Sequence, residues 1–267
     1  MRSFPRPVSF ISALRARNRV VVALMLRELQ TRFGRENLGY VWLFVEPALL
    51  GLGVAAWQWS VGGDATMRGG LNKFSFFLTG YILFYLFRTL VSRSPHGIAA
   101  NFQLLYHSKV TIEAVMWARS LLEGAAVLIC MGVFVLAIGA FYGEWPHNPL
   151  QMAFAAILMM LIAHGTGLIF LSATAINPGI TDRLVQPFTY LSIPFSGMFF
   201  MVWWLPNSFQ DFVLLFPLIH IMEFMREGQF GYGVPFIYDL TYLIQWVVVL
   251  NFLGLCALSA AKPHLEM

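Results

Sequence analysis

The chain has 267 residues, of which 58% are hydrophobic and 11% charged, with a net charge of +4. A soluble domain averages roughly 45–50% and 25%, and one soluble core of this size does not hide so much apolar surface. The basic balance reflects anchoring to an anionic leaflet rather than a nucleic-acid surface, and two cysteines, both inside apolar segments, lack the clustering of a disulfide framework or thiolate metal site.

Residues 1–17, punctuated by Pro5 and Pro7, read as a loose cytoplasmic tail without the features of a cleavable signal peptide. From Asn18 to Phe33, Val22, Met25, Leu29 and Phe33 recur at steps of three and four, with Arg27, Gln30 and Thr31 on another face. The pattern predicts an amphipathic helix, lying in the membrane interface or packed on a cytoplasmic partner, and Gly34 allows a turn after it. Six apolar segments follow: Gly39–Ser60, Leu71–Val91, Val115–Phe141, Leu150–Thr174, Gln186–Trp204 and Phe236–Ala261. Each is near or above the roughly 20 residues that cross a 30 Å hydrocarbon core. The expected fold is an all-α integral membrane protein with six transmembrane helices. Residues 1–38 form the tail and interfacial helix, and residues 39–267 the spanning domain.

Fourteen of the 17 Lys and Arg residues fall on one side of this topology, leaving Arg68, Lys73 and Arg226 on the other. Basic loops stay cytoplasmic, so both termini are expected there. In the first span Glu46-Pro47 sets a carboxylate beside a kinking proline. That carboxylate either meets a polar cavity or ion pair, or snorkels to the headgroups. Residues 94–113 form a polar cytoplasmic loop, in which Asn101–Tyr106 makes one short helix ended by His107 and Lys109. Arg119 and Glu123, four apart at the start of span three, are read as a local ion pair. His164 is read as a packing histidine, and Ala163 with Gly167 has the small-residue spacing of closely packed helices.

The link Thr174–Gln186 reads as a short turn, and span five as a helix bent by Pro187 and Pro194. Beyond Trp203-Trp204, the apolar runs Phe209–Phe216 and Leu218–Met225 are divided by Pro217, and each is too short to cross. They predict an external re-entrant helical hairpin within residues 205–235. One continuous crossing there would put the C-terminus outside. The sequence has no glycine-rich phosphate loop, no metal-ligand spacing and no midplane charges of the kind ion-coupled carriers use. No catalytic residue and no metal site is assigned.

Against this background Arg27-Glu28-Leu29-Gln30-Thr31-Arg32-Phe33-Gly34, then Leu38-Gly39-Tyr40-Val41-Trp42 and Glu46-Pro47, resembles the first motif of type-2 ABC exporter permeases. Asn101 with Leu104-Leu105, and Arg119-Ser120-Leu121-Leu122-Glu123, resembles their cytoplasmic loop and third span. Ser196-Gly197-Met198-Phe199-Phe200, Leu205-Pro206 and Phe216-Pro217-Leu218-Ile219-His220 through Glu223-Phe224-Met225-Arg226 resembles their fifth span and hairpin. The wording is closest to the capsular polysaccharide exporters of Gram-negative bacteria, whereas Asn177–Arg183 matches the family less closely.

The resemblance implies a homodimeric permease in the bacterial inner membrane that carries polysaccharide from cytoplasm to periplasm. A separate ATPase would hold ATP and Mg, with no cofactor on this chain. Asn101, Phe102, Leu104, Leu105 and Tyr106 would dock on that ATPase. Tyr40, Trp42, Tyr190, Phe195 and Phe199, with Arg35 and Arg88, are candidates for the substrate path; Glu46, Arg119 and Glu123 are structural ionisable groups. A periplasmic adaptor and an outer-membrane export protein are the further partners implied. Export of O-antigen, teichoic acid or another glycolipid is the nearest alternative. A membrane glycosyl- or prenyltransferase is more distant, since the acidic residues are scattered, and a secondary transporter is disfavoured by the missing repeat.

Overall fold

Small polar side chains start the long helices by accepting backbone N–H groups that have no partner within the first turn. The computed structural model describes residues 10–33, 39–61, 66–98 and 110–264, and its regular elements there are helical apart from one isolated bridge between Thr66 and Asn72. In chain order they are α1 Phe10–Phe33, α2 Gly39–Val61, α3 Lys73–Arg93, α4 Ile112–Tyr142, α5 Pro149–Ile176, α6 Pro178–Leu191, α7 Asn207–Val213, α8 Pro217–Phe230 and α9 Leu240–Ala261. Asn72 Oδ1 caps α3 through Phe74 N (2.9 Å) and Ser75 N (3.2 Å), and Asp239 Oδ1 caps α9 through Thr241 N (2.8 Å) and Tyr242 N (3.1 Å).

Four segments are each long and apolar enough to cross a membrane: Lys73–Arg93, Ile112–Tyr142, Pro149–Ile176 and Leu240–His264. A fifth candidate combines α7 with Pro217–Gly233, bent by 107°. α2 has 23 residues and continues through Pro47. The region expected as span five differs from its prediction. Its helix begins at Pro178, inside the expected turn, and ends at Leu191, after which the chain runs through turns to a 3₁₀ segment at Val202–Trp204. Proline is favoured at a first helical position, where its missing N–H costs nothing, and Thr181 Oγ1 bonds Asn177 O at 3.0 Å. Fourteen residues reach only about 21 Å. The N-terminal helix also starts earlier than expected, at Phe10, because Ala13, Leu14 and Ala16 are good helix formers. Val21 and Leu24 are buried on Ala114, Val115 and Ala118 of α4, and the expected Met25 and Leu29 are partly buried on the same side, whereas Val22 faces outward.

α5 is the central element, touching α3, α4, α6, α8 and α9. Its closest approach to α9 is at Gly165, where a Cβ would fall 2.7 Å from the Leu250 carbonyl carbon, so no other residue fits without backbone movement. Gly167 of the expected small pair faces Met116 and Ser94 instead. His164 is buried, with Nδ1 2.8 Å from Ser120 Oγ and its ring 4.1 Å from that of Trp117.

Where the chain leaves the helical pattern after Leu191, its free carbonyls converge on Arg226 of α8. Nη1 donates to Gly197 O (2.7 Å) and Phe200 O (2.6 Å), and Nη2 to Met198 O (2.8 Å). The guanidinium lies 3.6 Å from the Phe76 ring centroid, and Arg226 is 0% exposed. Gly80 leaves the space for this arrangement, since a Cβ there would meet Met198 O and Arg226 Nη2 at 3.3 and 3.4 Å. One turn earlier, buried Glu223 accepts Val202 N at 3.0 Å and Ile237 N at 3.3 Å. Glu227 takes hydrogen bonds from Gln151 Nε2 (2.7 Å) and Tyr238 Oη. Burial, and then the bond to Glu227, raise the Tyr238 phenol above its ordinary pKa. Arg226, counted above among the outer charges, is therefore an internal clasp between α8 and the irregular segment.

Replacing Arg226 with methionine leaves three carbonyls unbonded and Glu223 without a neighbouring cation. A loss of about 3–5 kcal/mol is expected, as for breaking a buried charged arrangement. Arg226→Lys should recover only part, because an ammonium lacks the planar fork. Thermal unfolding of the purified protein in detergent checks this; a methionine variant melting with the wild type would remove the clasp from the account.

Candidate functional site

The ends of α1, α2, α3 and α4 bring charged side chains together around the two roots of the 94–113 loop. Arg93, in the last turn of α3, donates Nη1 to Glu123 of α4 (3.1 Å) and Nη2 to Glu46 of α2 (3.3 Å). Its carbonyl accepts Arg119 Nη1 at 2.9 Å, and Arg119 Nε pairs with Glu28 of α1 at 2.9 Å. Arg17 of α1 pairs with Glu113 at the start of α4. Thr111 caps α4 by accepting Ala114 N at 3.2 Å, and Ser94 Oγ returns to Val91 O at 2.8 Å. A Cβ on Gly97 would fall 2.9 Å from Leu171, which presses the first root of the loop against α5.

These interactions differ in strength. Arg93 and Glu46 are both 37% exposed, so water screens their attraction and its contribution is small. Arg119 and Glu28 have side-chain exposures of 6% and 13%, and this pair resists separation far more. Arg119 and Glu123, read from spacing as partners, each bind a group on another helix. Arg93 and Glu28 are the partners that local spacing does not single out. A lone acid on the basic face of α1, and an arginine at the end of α3 before Ser94-Pro95, were the available signals.

The other predicted residues divide among several places. Asn101, Phe102, Leu104, Leu105, Tyr106 and Arg35 lie outside the described residues, as do the side chains of Tyr40 and Trp42. Arg88 lies 5.9 Å over the exposed Tyr190 ring and donates to Tyr81 Oη at 3.4 Å. Phe195 stacks on Phe216 at 4.4 Å, and Phe199 packs near Phe77 at 6.0 Å. Arg88 and Tyr190 thus form one group, while Phe195 and Phe199 belong to separate aromatic clusters. Among the described residues no group of three or more His, Cys, Asp and Glu is arranged to hold a metal ion.

The helices and the fastened loop define a multi-pass membrane protein. Residues 19–230 match the ABC-2 type transporter family, and the chain belongs to it. It is accordingly the non-enzymatic transport component, with ATP hydrolysis on a separate subunit. The chain is 34% identical over 259 residues to the capsule polysaccharide export inner-membrane protein CtrC of Neisseria meningitidis serogroup A, covering 97% of each. It is also 34% identical to the corresponding protein BexB of Haemophilus influenzae, again over 97% of each. To the polysialic acid transport protein KpsM of Escherichia coli it is 30% identical, over 88% of this chain and 90% of that one.

If the Glu28–Arg119 contact holds α1 to α4, exchanging its charges should be better tolerated than removing one. Arg119→Glu alone should lower the unfolding midpoint, and Glu28→Arg with Arg119→Glu should recover part of the loss. A coupling energy of about 0.5–3 kcal/mol is expected from the double-mutant cycle; strict additivity would show that the two side chains act independently.

Proposed function

We propose that this chain is the inner-membrane permease of an ATP-driven exporter that moves capsular polysaccharide, an acidic and lipid-anchored polymer, from cytoplasm to periplasm. The observation that carries this reading is the near full-length similarity to two capsule polysaccharide export proteins, together with that to a polysialic acid transport protein. It works as a homodimer with two ATPase subunits, a periplasmic adaptor and an outer-membrane export protein. In this reading the chain crosses six times with both termini cytoplasmic. α2 and the α6 region complete the set begun by the four long spans, and α7–α8 dips back into the outer leaflet. The bend of 107° between those two helices favours a re-entrant pair over one crossing.

Asn101–Tyr106 docks on the ATPase. The ion pairs around Arg93 and Arg119 would make the loop roots move with α1, α2 and α4, so that closure of the nucleotide-bound ATPase reaches the spans as displacement. Tyr40, Trp42, Tyr190, Phe195 and Phe199 offer rings to sugar C–H faces, and Arg35 and Arg88 supply weak positive potential at the entrance. Loose, repeated contacts suit a path that must release what it binds.

Deleting the gene should abolish surface capsule and accumulate polymer inside the cell, and a plasmid copy should restore export. Normal capsule in the deletion strain would overturn the proposal. With Leu104 and Leu105 both changed to aspartate, the permease should insert but lose its ATPase on co-purification, because a small apolar surface binds poorly when carboxylates must be desolvated. For topology, a reporter after Met267 should read cytoplasmic, and one near Asp64 or Trp145 periplasmic. A periplasmic C-terminus would make α7–α8 a full crossing.

A further inference from the structure

At the end of the bundle opposite the ion-pair network, a cavity of about 360 Å³ opens between the start of α3, the end of α4 and the end of α8. Its size lies near the lower end of the roughly 300–1,000 Å³ typical of small-ligand sites. The hollow between α3, α5, α6 and α9 is, by contrast, lined almost wholly by apolar side chains. This one presents Asn72, Glu144, Trp145 and Gln229 along with the backbone of Gly69-Gly70.

Each polar group is held by α3. Glu144 Oε2 accepts Ser75 Oγ at 2.8 Å. Gln229 Oε1 accepts Thr79 Oγ1 at 2.6 Å, and its Nε2 donates to Ser75 O at 3.4 Å. Asn72 Oδ1 is taken up by the α3 cap, which turns its amide nitrogen into the spare donor. Trp145 is positioned differently. Its indole packs on Gly139, where a Cβ would lie 2.7 Å from the ring, yet the residue remains 62% exposed. An aromatic surface backed by the last turn of α4 therefore stands beside a carboxylate and two amides.

This combination selects among ligands. An acyl chain gains nothing from a carboxylate and two amides, and an anion is repelled by Glu144. A divalent cation has too few carboxylates here. A sugar ring fits all the parts: its hydroxyls donate to the carboxylate and accept from the amides, and its C–H face packs on the indole. We propose that the cavity is a saccharide subsite on the face away from the ion-pair network, taking one uncharged ring of the exported acidic glycan while the acid groups of neighbouring rings stay outside it. The proposal rests on the polysaccharide-export reading.

The test uses the full chain in lipid nanodiscs, with short oligosaccharides hydrolysed from the strain's own capsule as the probe and binding followed by saturation-transfer NMR. Wild-type protein should bind them. Trp145→Ala should weaken binding by up to about tenfold, the equivalent of an aromatic contact of up to about 1.4 kcal/mol. Trp145→Phe should keep most of the affinity, and Glu144→Gln should weaken it with Trp145 in place. If the alanine variant does not insert, Glu144→Gln carries the test. Wild-type protein that restores capsule but does not bind the oligosaccharides, or inserted variants that bind as well as wild type, would overturn the subsite alone. Normal capsule without the gene would overturn the export reading itself.

Discussion

Backbone polar groups removed from water must find partners within the protein, and in a membrane chain this constraint falls hardest where a helix stops. The chain stops one at Leu191 and resumes a regular helix only at Asn207. Arg226 answers the demand with three hydrogen bonds to carbonyls of that stretch, and Glu223 supplies the complementary acceptor for two N–H groups. Neither charge alone would be stable so deep in the fold, because an isolated buried ion costs far more than one hydrogen bond returns. Together they satisfy three carbonyls and one N–H of an irregular segment packed next to α3, and Phe76 closes the guanidinium from its other side.

α3 connects this clasp to the opposite end of the molecule. Its first half contributes Phe76 and Gly80 to the Arg226 pocket, and its last turn contributes Arg93 to the charge network. Nearly every side chain between them is buried. A helix held so firmly along its length transmits displacement better than it absorbs it, since close-packed interiors have little slack. The weaker links are at the edge, where Arg93 and Glu46 are half in water. The Arg93–Glu46 contact therefore separates at less cost than the Arg119–Glu28 contact between α1 and α4.

The apolar segments were legible because length and hydropathy follow directly from the chemistry of a bilayer, and the break at Pro217 followed from proline's missing donor. The boundaries around α6 were not, because Asn177-Pro178-Gly179 has the composition of a turn although proline is equally at home at the first position of a helix. One position of the α1 stripe, Val22, differs for a related reason, whereas Met25 and Leu29 pack inward. Periodicity counts apolar residues, and both Val21 and Val22 qualify, so only packing against α4 decides which turns inward. The Arg119–Glu123 spacing likewise met the rule for a local pair, yet tertiary partners outbid a contact within one helix. Arg93 shows the limit most clearly: its partners Glu46 and Glu123 are 47 and 30 residues away, and nothing local announces them.

The two ends of the bundle are built for different demands. Around the loop roots, arginines and carboxylates pair with one another, and the buried contacts among them hold direction because those charges are costly to separate. At the opposite end the available groups are single: one indole, one carboxylate and two amides around an open volume. Groups of that kind bind weakly and exchange with water readily, so they suit a ligand that must pass on. The asymmetry follows from the sequence, since Arg93, Arg119, Glu28 and Glu123 gather at the end of α3 and the start of α4, whereas Gly69, Gly70, Gly139 and Gly143 gather at the other ends of the same two helices. Charge fixes one side of the molecule, and missing side chains make room on the other.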